Sequence, residues 1–255
     1  MIFDTAFLQL GNYIAEASRD AVAVAEAQEF RARCFELKNK HDIDPWDKDC
    51  THVLIRDCRS DILVCCFRLS FYQAVDVSQS YSAQYYGLGA LHHVVGTMME
   101  LGRFCIASDR NNPDVLRLAW ASMAYFVDRQ DVSLLFGCTS FRGTSVATYK
   151  DALRFLRAKA LAPAARAPRR KAREIVSLNE LSDADFDVRC ALRQTPPLLR
   201  TYLGMGGWVS DHAVIDREMN TLHVFTGVET ATIPENRQHM LRRLCQTAQL
   251  QHGVA

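Results

Sequence analysis

The run Met99-Glu100-Leu101-Gly102-Arg103-Phe104-Cys105-Ile106 sets one carboxylate and one guanidinium three residues apart in an otherwise apolar, strand-like segment. A carboxylate held in such a segment can accept a proton from a reacting group, and a guanidinium can brace a neighbouring acid. Strand side chains alternate between faces, so Glu100 and Gly102 are expected on one side and Arg103 on the other, with Met99 and Leu101. One charge then serves a cleft while the other holds the fold. A simple charge pair at a strand rim is the plainer alternative.

Other chemistries are poorly supported. The nine cysteines are scattered, with no Cys-x-x-Cys pair, and Cys65, Cys66, Cys105 and Cys138 lie in apolar runs where a reduced thiol acts as a small hydrophobe. That pattern predicts a reducing, cytoplasmic setting. His92 and His93 are adjacent and no His-x-x-x-His pair occurs, so no metal is expected. Cys105 or Cys138 as a nucleophile lacks a histidine at motif spacing. Thirty basic and 29 acidic residues leave a net charge of +1, which gives no general attraction to nucleic acid. The first ten residues carry Asp4 and no basic leader, and no apolar run approaches the roughly 20 residues of a membrane span.

The elements that must position these residues follow from periodicity. Residues 12–18 read as a strand, and Asp20 then caps a helix with apolar positions at Ala27, Phe30, Cys34 and Leu37. A polar loop over 41–49 precedes an antiparallel pair, 51–56 and 62–69. Residues 78–91 are rich in Ser, Tyr and Gly with weak periodicity. Residues 98–106 return to strand character, Asn112-Pro113-Asp114 opens a helix to about 129, and 132–139 is a further strand. A helix over 145–161, a helix from Pro196-Pro197 through Tyr202, strands at 213–215 and 221–228 and a helical tail from Pro234 complete the chain. This order predicts a single α/β sandwich domain over 1–255, with residues 1–11 as an N-terminal extension and a basic loop over about 162–173.

The segments Glu100-Leu101-Gly102-Arg103, Leu135-Phe136-Gly137-Cys138-Thr139-Ser140-Phe141, Pro196-Pro197-Leu198-Leu199-Arg200-Thr201-Tyr202-Leu203 and Ala213-Val214-Ile215-Asp216 together resemble the ornithine-lipid N-acyltransferases. The order and spacing of Arg31, Phe35, Asp44, Asp47, Arg68, Glu100 and Arg103 are also similar to the related acyl-homoserine-lactone synthases. The resemblance implies a GNAT-like three-layer sandwich, with a central mixed, largely antiparallel sheet splayed into an acyl-pantetheine cleft. It implies transfer of a 3-hydroxyacyl chain from acyl carrier protein to the α-amine of ornithine or a related amine, as the first step of aminolipid synthesis. An acyl-homoserine-lactone synthase and a non-catalytic carrier-protein-binding module are the alternatives.

Roles follow from that resemblance. Amide formation needs an unprotonated amine, so Glu100 is expected to act as general base, directly or through one water. Arg31, Asp44, Asp47, Arg68 and Arg103 are expected to form an ionic network around the cleft. Phe35, Trp46, Phe104, Cys105, Thr139, Ser140 and Phe141 are expected to line it. No cofactor is expected to be resident, the donor being the acyl-phosphopantetheine of acyl carrier protein. The glycine-free loop Ala107–Pro113 suits a pyrophosphate poorly, which favours the carrier protein over coenzyme A. Arg166, Arg169, Arg170, Lys171 and Arg173 form the one strong basic cluster, a docking candidate for an acidic carrier protein or for the inner face of a membrane. Asp216 and His223 are the acceptor-amine candidates. Ornithine enzymes tend to carry Thr-Thr-Asp-Val-Phe where this chain has Thr221-Leu222-His223-Val224-Phe225: if that acid contacts a cationic side chain in the relatives, another amine such as glutamine or an aminosulfonate is expected here, the alternative being that His223 is a surface variant.

Overall fold

The structure, a computed structural model, describes residues 5–108, 112–182 and 185–249. Its elements are β1 (Thr5–Leu10), β2 (Tyr13–Ser18), α1 (Ala21–Cys34), β3 (Thr51–Asp57), β4 (Leu63–Tyr72), β5 (Tyr86–Gly87), β6 (Thr97–Ile106), α2 (Pro113–Arg129), β7 (Val132–Arg142), α3 (Lys150–Lys159), β8 (Arg169–Arg170), β9 (Ile175–Ser177), α4 (Val188–Gln194), α5 (Pro197–Gly204), β10 (Trp208–Asp216), β11 (Thr221–Glu229) and α6 (Glu235–Ala248). Two compact units share them. The first holds residues 1–70, 101–132 and 235–255, the second 71–100 and 133–234. Strands β4 and β6 carry the chain from one unit to the other.

In the first unit β1, β2, β3 and β4 form antiparallel ladders, such as Ala15↔Ile55 and Leu54↔Cys66. Alternation along β3 puts Leu54 on one face, where it packs with Ala27 and Phe30 of α1 and with Cys66 and Cys105. Val53 and Ile55, fully buried, point the other way, and α2 packs on β1, β2 and β3 with α6 beside it. Both helix starts follow their sequence signals: Asp20 Oδ1 accepts from Val22 N–H at 2.8 Å and Asn112 Oδ1 from Asp114 N–H at 2.9 Å. Residues 5–10, read from sequence as part of an extension, are a strand paired with β2, with Leu8 fully buried. The short distance between the two strands, closed by Gly11 at φ +57°, hid the hairpin.

In the second unit β7, β11, β10 and β9 are consecutive antiparallel neighbours. One face of this ladder carries Phe141, Val209, Ala213, Leu222 and Val224 against Ala152, Leu153 and Leu156 of α3 and Leu199 of α5. The other carries Phe136, Trp208, Val214 and Phe225, covered by Val77, Ala83, Tyr86, Leu88 and Leu91. Ala83, Tyr86, Leu88 and Leu91 come from the weakly periodic stretch, which is a series of short 3-10 turns around the two-residue strand β5. Short turns place an apolar side chain inward at irregular intervals, so neither helical nor strand period appears in the sequence. Among the described residues no helix is long and apolar enough to cross a membrane.

Candidate active site

Glu100 is 5% exposed on β6, and its carboxylate is gripped from the 3-10 turn over 82–84. Oε1 accepts from Ser82 N–H at 2.7 Å and Ser82 Oγ–H at 2.6 Å. Oε2 accepts from Tyr81 N–H at 3.0 Å and, more distantly, from Tyr72 O–H at 3.5 Å. Four donors match the four lone-pair sites of an ionised carboxylate, which makes burial of this charge tolerable. Tyr72 and Tyr81 are half-buried, whereas Ser82 is fully buried. Cys138 Sγ lies 3.5 Å from Ser82 Oγ, extending the chain of polar contacts to β7.

A second polar cluster stands on the same face of β10 and β11 as Val214 and Phe225. Tyr85 O–H donates to Asp216 Oδ2 at 3.3 Å and its ring meets His223 edge-on at 4.8 Å. Tyr86 O–H donates to the His223 carbonyl at 2.9 Å and lies 3.1 Å from His223 Nδ1. Burial, more than the neighbouring His212 and against the pull of Asp216, lowers the His223 pKa to about 4, so the ring is neutral near pH 7.

In the first unit, the three arginines expected in an ionic network do converge. Arg31, fully buried, donates from Nη1 and Nη2 to Asp47 at 2.9 and 2.8 Å. Arg68 Nη1 reaches Asp44 and Asp47, each at 2.6 Å, and Arg103 reaches Asp42 at 2.8 Å and Asp44 at 3.1 Å. Asp42, also 2.9 Å from Arg31 Nε, was not singled out from sequence. Its presence balances three cations with three anions, and a count of charges would have asked for it. Burial works to raise the Asp47 pKa, but the bonds and charges of Arg31 and Arg68 outweigh it and hold the carboxyl well below its usual range. His52 Nε2, 3.0 Å from the Asp47 carbonyl, is kept neutral by burial.

Arg103 adopts φ +55°, a left-handed conformation that breaks strand alternation. A Cβ on Gly102 would lie 3.2 Å from Arg68 Nε, and Arg103 bonds Asp44, which Arg68 also bonds. Gly102 and Arg103 thus both abut one cluster, where regular alternation would have sent them to opposite faces. A local kink re-aims the side chain.

The residues expected to line an acyl cleft are divided between the two units: Phe35, Trp46, Phe104 and Cys105 belong to the first, Thr139, Ser140 and Phe141 to the second. Thr139 and Phe141 face α3, Thr139 accepting from Thr226 Oγ–H at 3.0 Å and Phe141 meeting Tyr149 at 4.9 Å, while Ser140 is exposed on the opposite face. Phe104 stacks on Phe67 at 5.7 Å, Cys105 Sγ lies 3.7 Å from Cys66 Sγ with its pKa pushed up by burial, and Phe35 ends α1 beside the same cluster. Trp46 is half-buried next to Asp44. In the basic stretch, β8 pairs with β5, Arg166 bonds Glu229 at 3.2 Å, Arg170 bonds Ser177 at 2.7 Å and Lys171 Nζ donates to the Ala83 carbonyl at 2.6 Å. Arg169 and Arg173 are exposed. Residues 109–111, the centre of the glycine-free loop, lie outside the described residues.

Residues 25–121 match the family described as Acetyltransferase (GNAT) domain. That stretch is similar to a GNAT domain. Both the ionic cluster and Glu100 lie within it, whereas Cys138, Asp216 and His223 lie beyond it. The chain is 27% identical over 249 residues to an L-ornithine Nα-acyltransferase of Rhodobacter capsulatus, covering 91% of this chain and 95% of that one. It is 26% identical over 235 residues to the enzyme of the same name from Rhizobium meliloti, covering 85% and 79%. A solved N-acyl amino acid synthase from uncultured soil microbes aligns at 8% identity and a TM-score of 0.47, covering 87% of this chain and 94% of that one. Tyr72, Ser82, Tyr85 and Tyr86, which hold Glu100 and His223, went unnoticed in the sequence; their one signal is the density of Tyr and Ser in residues 72–86.

Proposed function

We propose that the protein transfers a 3-hydroxyacyl chain from the phosphopantetheine thioester of acyl carrier protein to the α-amine of ornithine or a related amino acid, giving a lyso-aminolipid. The observation that carries this reading is the likeness, over 91% of the chain, to an enzyme named for Nα-acyl transfer to L-ornithine, with the buried Glu100 carboxylate inside the matched GNAT stretch. The amine nitrogen attacks the thioester carbon, the C–N bond forms, the C–S bond breaks and the donor thiol leaves. The proton lost from nitrogen must be taken up as the bond forms. Glu100 is the acceptor in this proposal, reached through the Tyr72 hydroxyl, which passes its own proton to Oε2 and takes one from the amine or an intervening water. The turn that grips the other lone pairs fixes the carboxylate in place, so no reorganisation is needed during reaction.

Glu100→Gln tests it. With 3-hydroxyacyl-acyl carrier protein and ornithine, kcat falls by roughly 10²–10⁴ while carrier-protein affinity is retained, product being followed by mass spectrometry. Undiminished turnover would remove Glu100 from the mechanism. Absence of any N-acyl amino acid from the wild-type protein would overturn the acyl-transfer reading itself.

A further inference from the structure

Tyr86 O–H lies 2.9 Å from the His223 carbonyl and 3.1 Å from His223 Nδ1. With the phenol proton on the carbonyl, Nδ1 is the donor to the phenol oxygen, and the neutral ring presents Nε2 as an acceptor. That Nε2 is buried in a side chain 2% exposed and has no hydrogen-bond partner among the described residues. His212 repeats the arrangement: Nδ1 donates to Asp211 Oδ1 at 2.7 Å, the residue is fully buried, and Nε2 has no partner. Asp216 completes the set. It is 7% exposed, accepts from Tyr85 O–H at 3.3 Å and Met219 N–H at 3.0 Å, and forms no ion pair with any described cation.

Strand register brings the three together. His223 pairs directly with Val214, so His212 and Asp216, two residues either side of Val214 on β10, are its diagonal neighbours on one face. A buried carboxylate without a cation and two buried ring nitrogens without hydrogen-bond partners are each costly alone. A single group that carries positive charge and several N–H donors satisfies all three. We infer that His212, His223 and Asp216 form the subsite for a terminal ammonium on the side chain of the acceptor amino acid, with the half-buried Tyr85 hydroxyl giving up its place on Asp216 as that group enters. The inference rests on the acyl-transfer reading for the identity of the ligand, and on hydrogen-bond accounting for its chemistry. It makes this chain selective for a basic acceptor and against uncharged ones such as glutamine, and against aminosulfonates, whose anionic end would meet Asp216.

The test compares ornithine with norvaline, which has the same carbon skeleton and no side-chain amine. Isothermal titration of the full-length protein is expected to show ornithine binding at least 10-fold more tightly. The ratio of kcat/KM for the two follows the same order, and Asp216→Asn and His223→Leu each lower it by 10-fold or more. Circular dichroism checks that both variants fold, and the conservative Asp216→Asn decides the matter if His223→Leu does not. Equal binding of ornithine and norvaline by the wild-type protein would mean that the site holds water only and would overturn the subsite. Acylation of both amino acids at equal rates would do the same while leaving the acyl-transfer reading intact. Side-chain-dependent binding without any turnover would support the subsite and count against that reading.

Discussion

Two buried acids in this protein are stabilised in different ways, and the difference bears on what each can do. Asp47 is neutralised by cations, Arg31 and Arg68, and belongs to a cluster of three acids and three arginines. Glu100 accepts from Tyr72, Tyr81 and Ser82, donors that carry no formal charge. His223 adds a measurable pH signature. Its folded pKa of about 4 lies below the ordinary value of 6.5, so between these the unfolded chain binds more protons than the native one. Stability is therefore fully present above pH 6.5 and is lost as pH falls toward 4, by on the order of 3 kcal/mol. Urea unfolding at pH 7, 5.5 and 4.5 should show that decline, with a visibly shallower one in His223→Leu. An identical slope in the variant would mean that His52, also held neutral by burial, and the acids carry the whole effect.

Elements owe their usefulness here to departures from regularity. The left-handed Arg103 turns a strand residue into a ligand of Asp42 and Asp44, and the 3-10 turn over 82–84 points two consecutive backbone N–H groups at Glu100. Regular strand or helix geometry supplies neither. Between β10 and β11, register pairs Trp208 with Gly227, and the indole lies flat where a side chain would stand. A Cβ on Gly227 would come within 2.4 Å of the Trp208 ring, a rigid group packed on Phe225. Gly227→Ala should cost about 1–3 kcal/mol as an overpacking change and lower the melting temperature, with an altered near-ultraviolet signal from the displaced indole. An unchanged melting temperature would show that the ring moves freely.

For the molecule as a whole, charge distribution matters more than its near-zero sum. Arg166, Arg170 and Lys171 are spent on Glu229, Ser177 and the Ala83 carbonyl, and the last of these ties the basic stretch to the turn that bears Ser82 and Tyr85. Arg169 and Arg173 are exposed and form no side-chain hydrogen bond or ion pair with the described residues. If an acidic carrier protein docks here, the double reversal Arg169→Glu, Arg173→Glu should raise KM for acyl carrier protein at least 5-fold at low salt, with the effect shrinking as salt is added. A salt-independent, unchanged KM would place docking elsewhere.

Helix starts at Asp20 and Asn112, the hairpin over 51–72 and the closing strands were determined by sequence alone, because caps and periodicity are local and repeat over many residues. The ionic residues Arg31, Asp44, Asp47, Arg68 and Arg103 were legible through the family resemblance that their order and spacing carry. Tertiary structure alone decided that Asp42 joins them, that Thr139 and Phe141 turn away from Ser140, and that His223 faces His212 and Asp216. Such outcomes depend on register, on one left-handed residue and on which nitrogen of a ring is left bare. Each is set by contacts between segments far apart in the chain, and no short window of sequence contains both sides of the contact.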